Sequence, residues 1–109
     1  MSIIVCLVSC PSKEVANALA KDLVDLRLAA CVNVLPEIQS TYRWEGDLCV
    51  ESEALIIIKS TTERQDELKR TVLEKHPYEN PEFVVLDTQE VAEKYAHWVE
   101  ESVGHKRLP

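Results

Sequence analysis

Ile3-Ile4-Val5-Cys6-Leu7-Val8 is a continuous apolar run rich in β-branched residues, the pattern of a central strand covered on both faces. Pro11 and Ser12 end it. Ser12 stands as an N-cap and Glu14 in the first turn, where it complements the helix dipole, so a helix is predicted to run to about Leu28. Val15, Leu19, Leu23 and Leu26, with Ala16 and Ala20 beside them, fall on one face that should be buried. Lys13, Asn17, Lys21, Asp22, Asp25 and Arg27 lie largely on the solvated remainder.

Ala30 to Leu35 and Ser40 to Trp44 are strand-forming, interrupted at Pro36-Glu37. One long bent strand is expected, with Pro36 at a bulge or an edge. Glu45-Gly46-Asp47 supplies a turn, and the chain returns through Leu48-Cys49-Val50 to Ala54-Leu55-Ile56-Ile57-Ile58, completing a long hairpin. Pairing Trp44 with Asp47 sets Cys49 near Tyr42 and Cys31 near Ser60, and a bulge would shift this register by a residue or two. Ser60 with Glu63, or Thr62 with Gln65, has capping-box spacing, and Leu68, Val72 and Leu73 carry a second helix to about Lys75. Pro77 and Pro81 then fix their own backbone and push the preceding residues toward extended conformations. The helix should therefore stop near His76 and a strand start near Glu82, with Phe83-Val84-Val85-Leu86 as its body. Val91, Ala92, Tyr95, Trp98 and Val99 recur as a third helix.

The order β-α-β-β-α-β followed by an extra helix is the ferredoxin-like plan, an α+β fold in which four antiparallel strands carry two helices on one face. The first and third strands should be neighbours, with the fourth flanking the first. No internal repeat or linker interrupts residues 1–109, which read as one domain. The plan leaves an open sheet face and two edges. Ile56-Ile57-Ile58 is apolar on both faces, and Tyr42 and Trp44 project to one side near the hairpin tip. Homo-oligomerisation through sheet faces and hairpin edges would cover them.

A chain of 109 residues with 46% apolar content folds around a core. Its net charge of -7 argues against nucleic acid or an anionic membrane surface as partner, since both call for a basic stripe. No apolar run is long enough for a membrane span, and Met1-Ser2-Ile3 leads into a strand without a basic leader. A soluble, cytoplasmic protein is expected. Cys6, Cys10, Cys31 and Cys49 contain no C-x-x-C pair and have apolar sequence neighbours, so they read as buried thiols rather than a zinc or redox site. With two glycines in the chain, a backbone phosphate cradle is not expected. His76 with Glu82 is an acid and base pair lacking a nucleophile, so the chain does not read as an enzyme. His97 and His105 read as solvated surface residues.

The segment His76-Pro77-Tyr78-Glu79-Asn80-Pro81-Glu82 gathers an imidazole, a phenol and two carboxylates in a restricted loop. Together with Leu28-Ala29-Ala30-Cys31-Val32-Asn33-Val34-Leu35-Pro36, Ser40-Thr41-Tyr42-Arg43-Trp44-Glu45-Gly46, Ile58-Lys59-Ser60 and Tyr95-Ala96-His97-Trp98, it resembles the CutA family of divalent-cation tolerance proteins over almost the whole chain. The resemblance implies a ferredoxin-like fold, a homotrimer built on interlocking long hairpins, and an architecture similar to PII signalling proteins.

It also frames two ligand hypotheses. Family members assigned a copper site combine a first-strand Cys with two adjacent His before the Pro-Tyr. Here Val8 and Lys75 stand at two of those positions and His76 alone is retained, so His76 is the candidate ligand for copper or another divalent metal ion. His76 is equally suited to interact with the end of the preceding helix. In the other hypothesis, Lys59, Tyr78 and Glu82, brought together from adjoining subunits, bind a small anionic ligand in a PII-like signalling or scaffold trimer, or act as inter-subunit contacts. Tyr42, Trp44 and Trp98 read as interface anchors.

Overall fold

Strand β1 (Ile3–Cys10) is followed by α1 (Lys13–Asp25), β2 (Cys31–Trp44), β3 (Asp47–Thr61), α2 (Gln65–Lys75), β4 (Val84–Asp87) and α3 (Glu93–Val103) in the computed structural model, which describes residues 2–104. His105 and the rest of the tail lie outside the described residues. The strands form one sheet in the order β2-β3-β1-β4, and each neighbouring pair is antiparallel. This is the predicted α+β ferredoxin-like arrangement, with the first and third strands adjacent and the fourth beside the first.

Alternation along β1 separates two apolar layers. Ile4, Cys6, Val8 and Cys10 join Ile56 and Ile58 of β3 beneath Ala16, Leu19 and Leu23 of α1 and Leu68 and Val72 of α2. Ile3 points to the opposite face, where Val99 and Val103 of α3 and Ala30 form a second, smaller cluster with it. Helix α3 thus covers only one end of that face. Val5, Leu7, Leu55 and Ile57 elsewhere on it are half-buried.

The hairpin pairs Trp44 with Asp47 and Tyr42 with Cys49, as expected. Between Leu35 and Ile38 the register slips, because Pro36 has no N–H to give to the ladder and Pro36-Glu37 form a bulge. Cys31 consequently faces Lys59 rather than Ser60.

Helix α1 begins as expected, with the Ser12 hydroxyl accepting from the Val15 N–H at 3.2 Å. It ends earlier than Leu28, at Asp25. Arg27 adopts φ 60°, which turns the Leu28 N–H back to the Leu23 carbonyl (2.9 Å) and the Arg27 N–H to that of Val24 (3.0 Å). That is a Schellman ending with arginine in the usual glycine position. Leu26 falls beyond the last turn and is 50% exposed, so it does not belong to the buried face; Leu28 is buried instead.

Neither expected capping box forms before α2. The Ser60 hydroxyl donates to the Leu28 carbonyl (2.6 Å) and Thr62 Oγ1 accepts from the Ser2 N–H (3.2 Å). A short 3-10 turn at Thr62–Arg64 leads into α2. Strand β4 starts at Val84 rather than near Glu82. Of the cysteines, Cys6 and Cys10 are buried, whereas Cys31 and Cys49 are only partly so; all four are free.

Candidate functional site

The loop after α2 is fixed by its own first residue. Pro77 forces His76 into an extended conformation (φ -76°, ψ 137°), so α2 stops there, although the His76 N–H still reaches the Val72 carbonyl at 2.9 Å. The imidazole itself turns to the sheet. Its Nε2 lies 2.7 Å from the Ser9 carbonyl and its Nδ1 accepts from the Tyr78 N–H at 3.1 Å. A carbonyl can only accept, so Nε2 carries the proton and Nδ1 is the acceptor. The residue is 7% exposed and its ring centroid lies 4.8 Å from that of Tyr78. Both ring nitrogens therefore have partners in the chain.

Tyr78 carries the link onward. Its phenol donates to Glu53 Oε2 at 2.6 Å, tying the loop to β3, and one step up the hairpin Tyr42 donates to Glu51 Oε1 at 2.8 Å. Burial, then the bond to Glu53 and the nearby negative charge, hold the Tyr78 phenol well above its ordinary range. The hydrogen bond to Glu51 comes first among the causes that push the Tyr42 phenol up to about 12. Both phenols are neutral donors at physiological pH.

Between the hairpin and the loop lies an open cleft of about 810 Å³. Tyr42, Trp44, Glu51 and Glu53 form one wall, Tyr78 to Glu82 the other, and Ser9 lies at its base. The negative charges of Glu53 and Glu82 reach deeper still, adding to the burial that raises the Cys10 thiol to about 11.

Two of the three candidates for a small ligand, Tyr78 and Glu82, thus share this cleft. Lys59 lies elsewhere, six residues along β3 from Glu53, a separation of about 20 Å. It is half-buried, its Nζ bonded to Asn33 Oδ1 and lying 3.8 Å from Cys31 Sγ. Glu51, Glu53, Ser9 and Asn33 were not among the sequence candidates. The spacing of Glu51 and Glu53 on alternate positions of the returning strand was a signal that placed them on one face. Among the described residues no group of three His, Cys, Asp or Glu converges as a metal-ligand cluster, and no helix is long and apolar enough to cross a membrane.

An antiparallel ferredoxin-like sheet, an overlong hairpin and a proline loop clamped to the first strand define a small α+β domain of the ferredoxin-like class. The chain belongs to the family described as CutA1 divalent ion tolerance protein, whose profile matches residues 4–102. The divalent-cation tolerance protein CutA of Thermus thermophilus is 44% identical over 100 residues, covering 92% of this chain and 97% of that one. Protein CutA of Mus musculus is 39% identical over 98 residues, covering 90% of this chain, which spans 55% of the mouse protein's length. The crystal structure of CutA1 from Oryza sativa superposes with a TM-score of 0.93 at 36% identity, covering 97% of each chain.

Proposed function

We propose that the chain acts in divalent-cation tolerance or response as a cytoplasmic homotrimer that binds a cation at the cleft between hairpin and loop and catalyses no reaction. The observation that carries this reading is the collection of Glu51, Glu53, Glu79 and Glu82 around one cleft, a negative field that concentrates cations. The half-buried open face and the exposed hairpin aromatics Tyr42 and Trp44 support assembly into a trimer. Four free cysteines favour a reducing compartment.

A divalent metal ion, copper included, would be held weakly, because no three ligands converge within one chain. Glu53 and Glu82 are better placed for it than His76, whose ring would have to release either Ser9 or Tyr78. A second reading has its own support. The Lys59 ammonium is half-buried beside an amide and a thiol, and among the described residues no carboxylate lies within ion-pair distance of it. A small anionic ligand would complement it, as in a PII-like signalling trimer.

Native mass spectrometry of the purified protein, titrated with copper(II), zinc(II), nucleotides and small carboxylates, separates these readings. The expected result is a trimer that takes up metal in wild type and loses it in a Glu53→Gln, Glu82→Gln variant. Retention of copper by that variant but not by His76→Ala would return the metal to the imidazole. Failure to take up metal below roughly millimolar concentration, with a carboxylate or nucleotide held and then lost in Lys59→Ala, would establish the second reading instead.

A further inference from the structure

We propose that α3 is a detachable strap, which lifts from the sheet as a unit, turning on residues 89–92, while the rest of the fold stays closed. The device is independent of the cation reading of the cleft.

The three helices are fastened unequally. Helix α1 carries its Ser12 cap and buries Ala16, Leu19 and Leu23, and α2 is tied to α1 by Lys75 and Asp22 at 3.5 Å. Helix α3 buries only Val99 and Val103 of its eleven residues, and Ala92 gives its first turn no side-chain cap. Among the described residues the ion pairs are Arg64 with Glu67 and Lys75 with Asp22, and neither reaches α3. One side-chain hydrogen bond holds it to the body, from Arg27 Nη1 to the Ser102 carbonyl at 3.2 Å, and that bond is exposed to competition from water.

The chain leading into α3 has a fixed point and then a free one. Thr88 Oγ1 donates to the Ile3 carbonyl at 2.7 Å, which pins the end of β4 to β1, and residues 89–92 have no regular structure before the helix begins at Glu93. Beneath the helix lies a polar group with no partner. Thr61 is fully buried, and its Oγ1 is the one buried side-chain nitrogen or oxygen among the described residues that makes no hydrogen bond. Thr61 stands opposite Ile3 in the ladder, and directly opposed residues share a face of the sheet. Ile3 is the residue that packs with Val99 and Val103. The orphan hydroxyl therefore sits on the side of the sheet that α3 covers.

Docking α3 strips that hydroxyl of water and returns no partner, whereas lifting α3 hydrates it again. The penalty moves the docking equilibrium toward the lifted form by about tenfold. Burial of Val99 and Val103 against Ile3 and Ala30 keeps the docked form in the majority. The lifted form uncovers Ile3 and Ala30, so it presents a longer apolar face than the docked one.

The test is amide hydrogen exchange of the intact protein in its native assembly, followed by NMR, with the amides of Cys6 and Ile58 in the middle of the sheet as reference. The hydrogen-bonded amides of α3 are expected to share one protection factor, roughly tenfold or more below that of the reference amides. Thr61→Val keeps the branched shape and removes the hydroxyl, and should slow exchange throughout α3 by about tenfold. Val99→Ala removes a docking contact and should speed it by about tenfold. Circular dichroism and sedimentation check the fold and assembly of both variants. Protection of α3 equal to that of Cys6 and Ile58 means that the helix leaves only when the whole chain unfolds, and overturns the inference. Exchange in α3 that neither variant changes, or amides that open one by one from the helix ends, overturns it as well.

Discussion

His76 joins three segments of chain through one ring, and its partners decide what a substitution does. Replacing it with alanine leaves the Ser9 carbonyl and the Tyr78 N–H without their partner and opens space at a residue 7% exposed. Losing two hydrogen bonds and the buried ring should cost about 2–4 kcal/mol in unfolding free energy, measured by urea denaturation of metal-free protein. A histidine serving only as a metal ligand predicts no change under those conditions. The buried thiols give a pH signature. Burial raises Cys6 and Cys10 from 9.0 to about 11, so the fold favours their neutral form. Their contribution to stability is complete below pH 9.0 and is lost as pH rises through about 11, because the unfolded thiols ionise first. Denaturation midpoints measured across that window should fall less steeply in a Cys6→Ala, Cys10→Ala variant than in wild type. Prolines made His76, Tyr78 and Glu82 legible in the sequence. Ser9 and Glu53 were not, because they meet the loop across separations of 67 and 25 residues, and local pattern carries no information about partners so distant.

Elements were legible where alternation and turn chemistry agree, and less so where a side chain chose a distant partner. The hairpin and its bulge follow from β-forming runs around Glu45-Gly46 and from the missing N–H of Pro36. Helix ends were harder. Arg27 replaces the glycine that would have announced the end of α1, and the hydroxyls of Ser60 and Thr62 bond to Leu28 and Ser2 rather than capping α2. The hairpin turn carries a comparable strain: Glu45 sits at φ 51° and Gly46 at φ 87°, the two positive angles of a type I′ turn. Gly46 accepts this freely, whereas glutamate is poorly suited to the first position. Glu45→Asn should raise stability by about 0.5–1 kcal/mol, since asparagine tolerates the left-handed region far better. The check is a shift of the urea midpoint with an unchanged slope.

At the scale of the whole molecule, neighbouring residues of β3 separate folding from assembly. Ile56 is fully buried beneath α1 and α2, while Ile57 is half-buried on the face that α3 leaves open. A carboxylate at position 56 enters the core unpaired and should prevent folding. A carboxylate at position 57 meets only the open face, so a single subunit tolerates it. If the proposed trimer forms and covers this face, however, each of the three copies buries an unpaired charge at its interface. Ile57→Asp should therefore retain a native circular dichroism spectrum but sediment as a monomer. Its thermal midpoint should fall below that of wild type, whose midpoint alone rises with protein concentration because assembly stabilises the folded state. An Ile57→Asp protein that still sediments as a trimer would show that the open face is not the one the subunits share, and assembly would have to run through the hairpin edges and the free edge of β4.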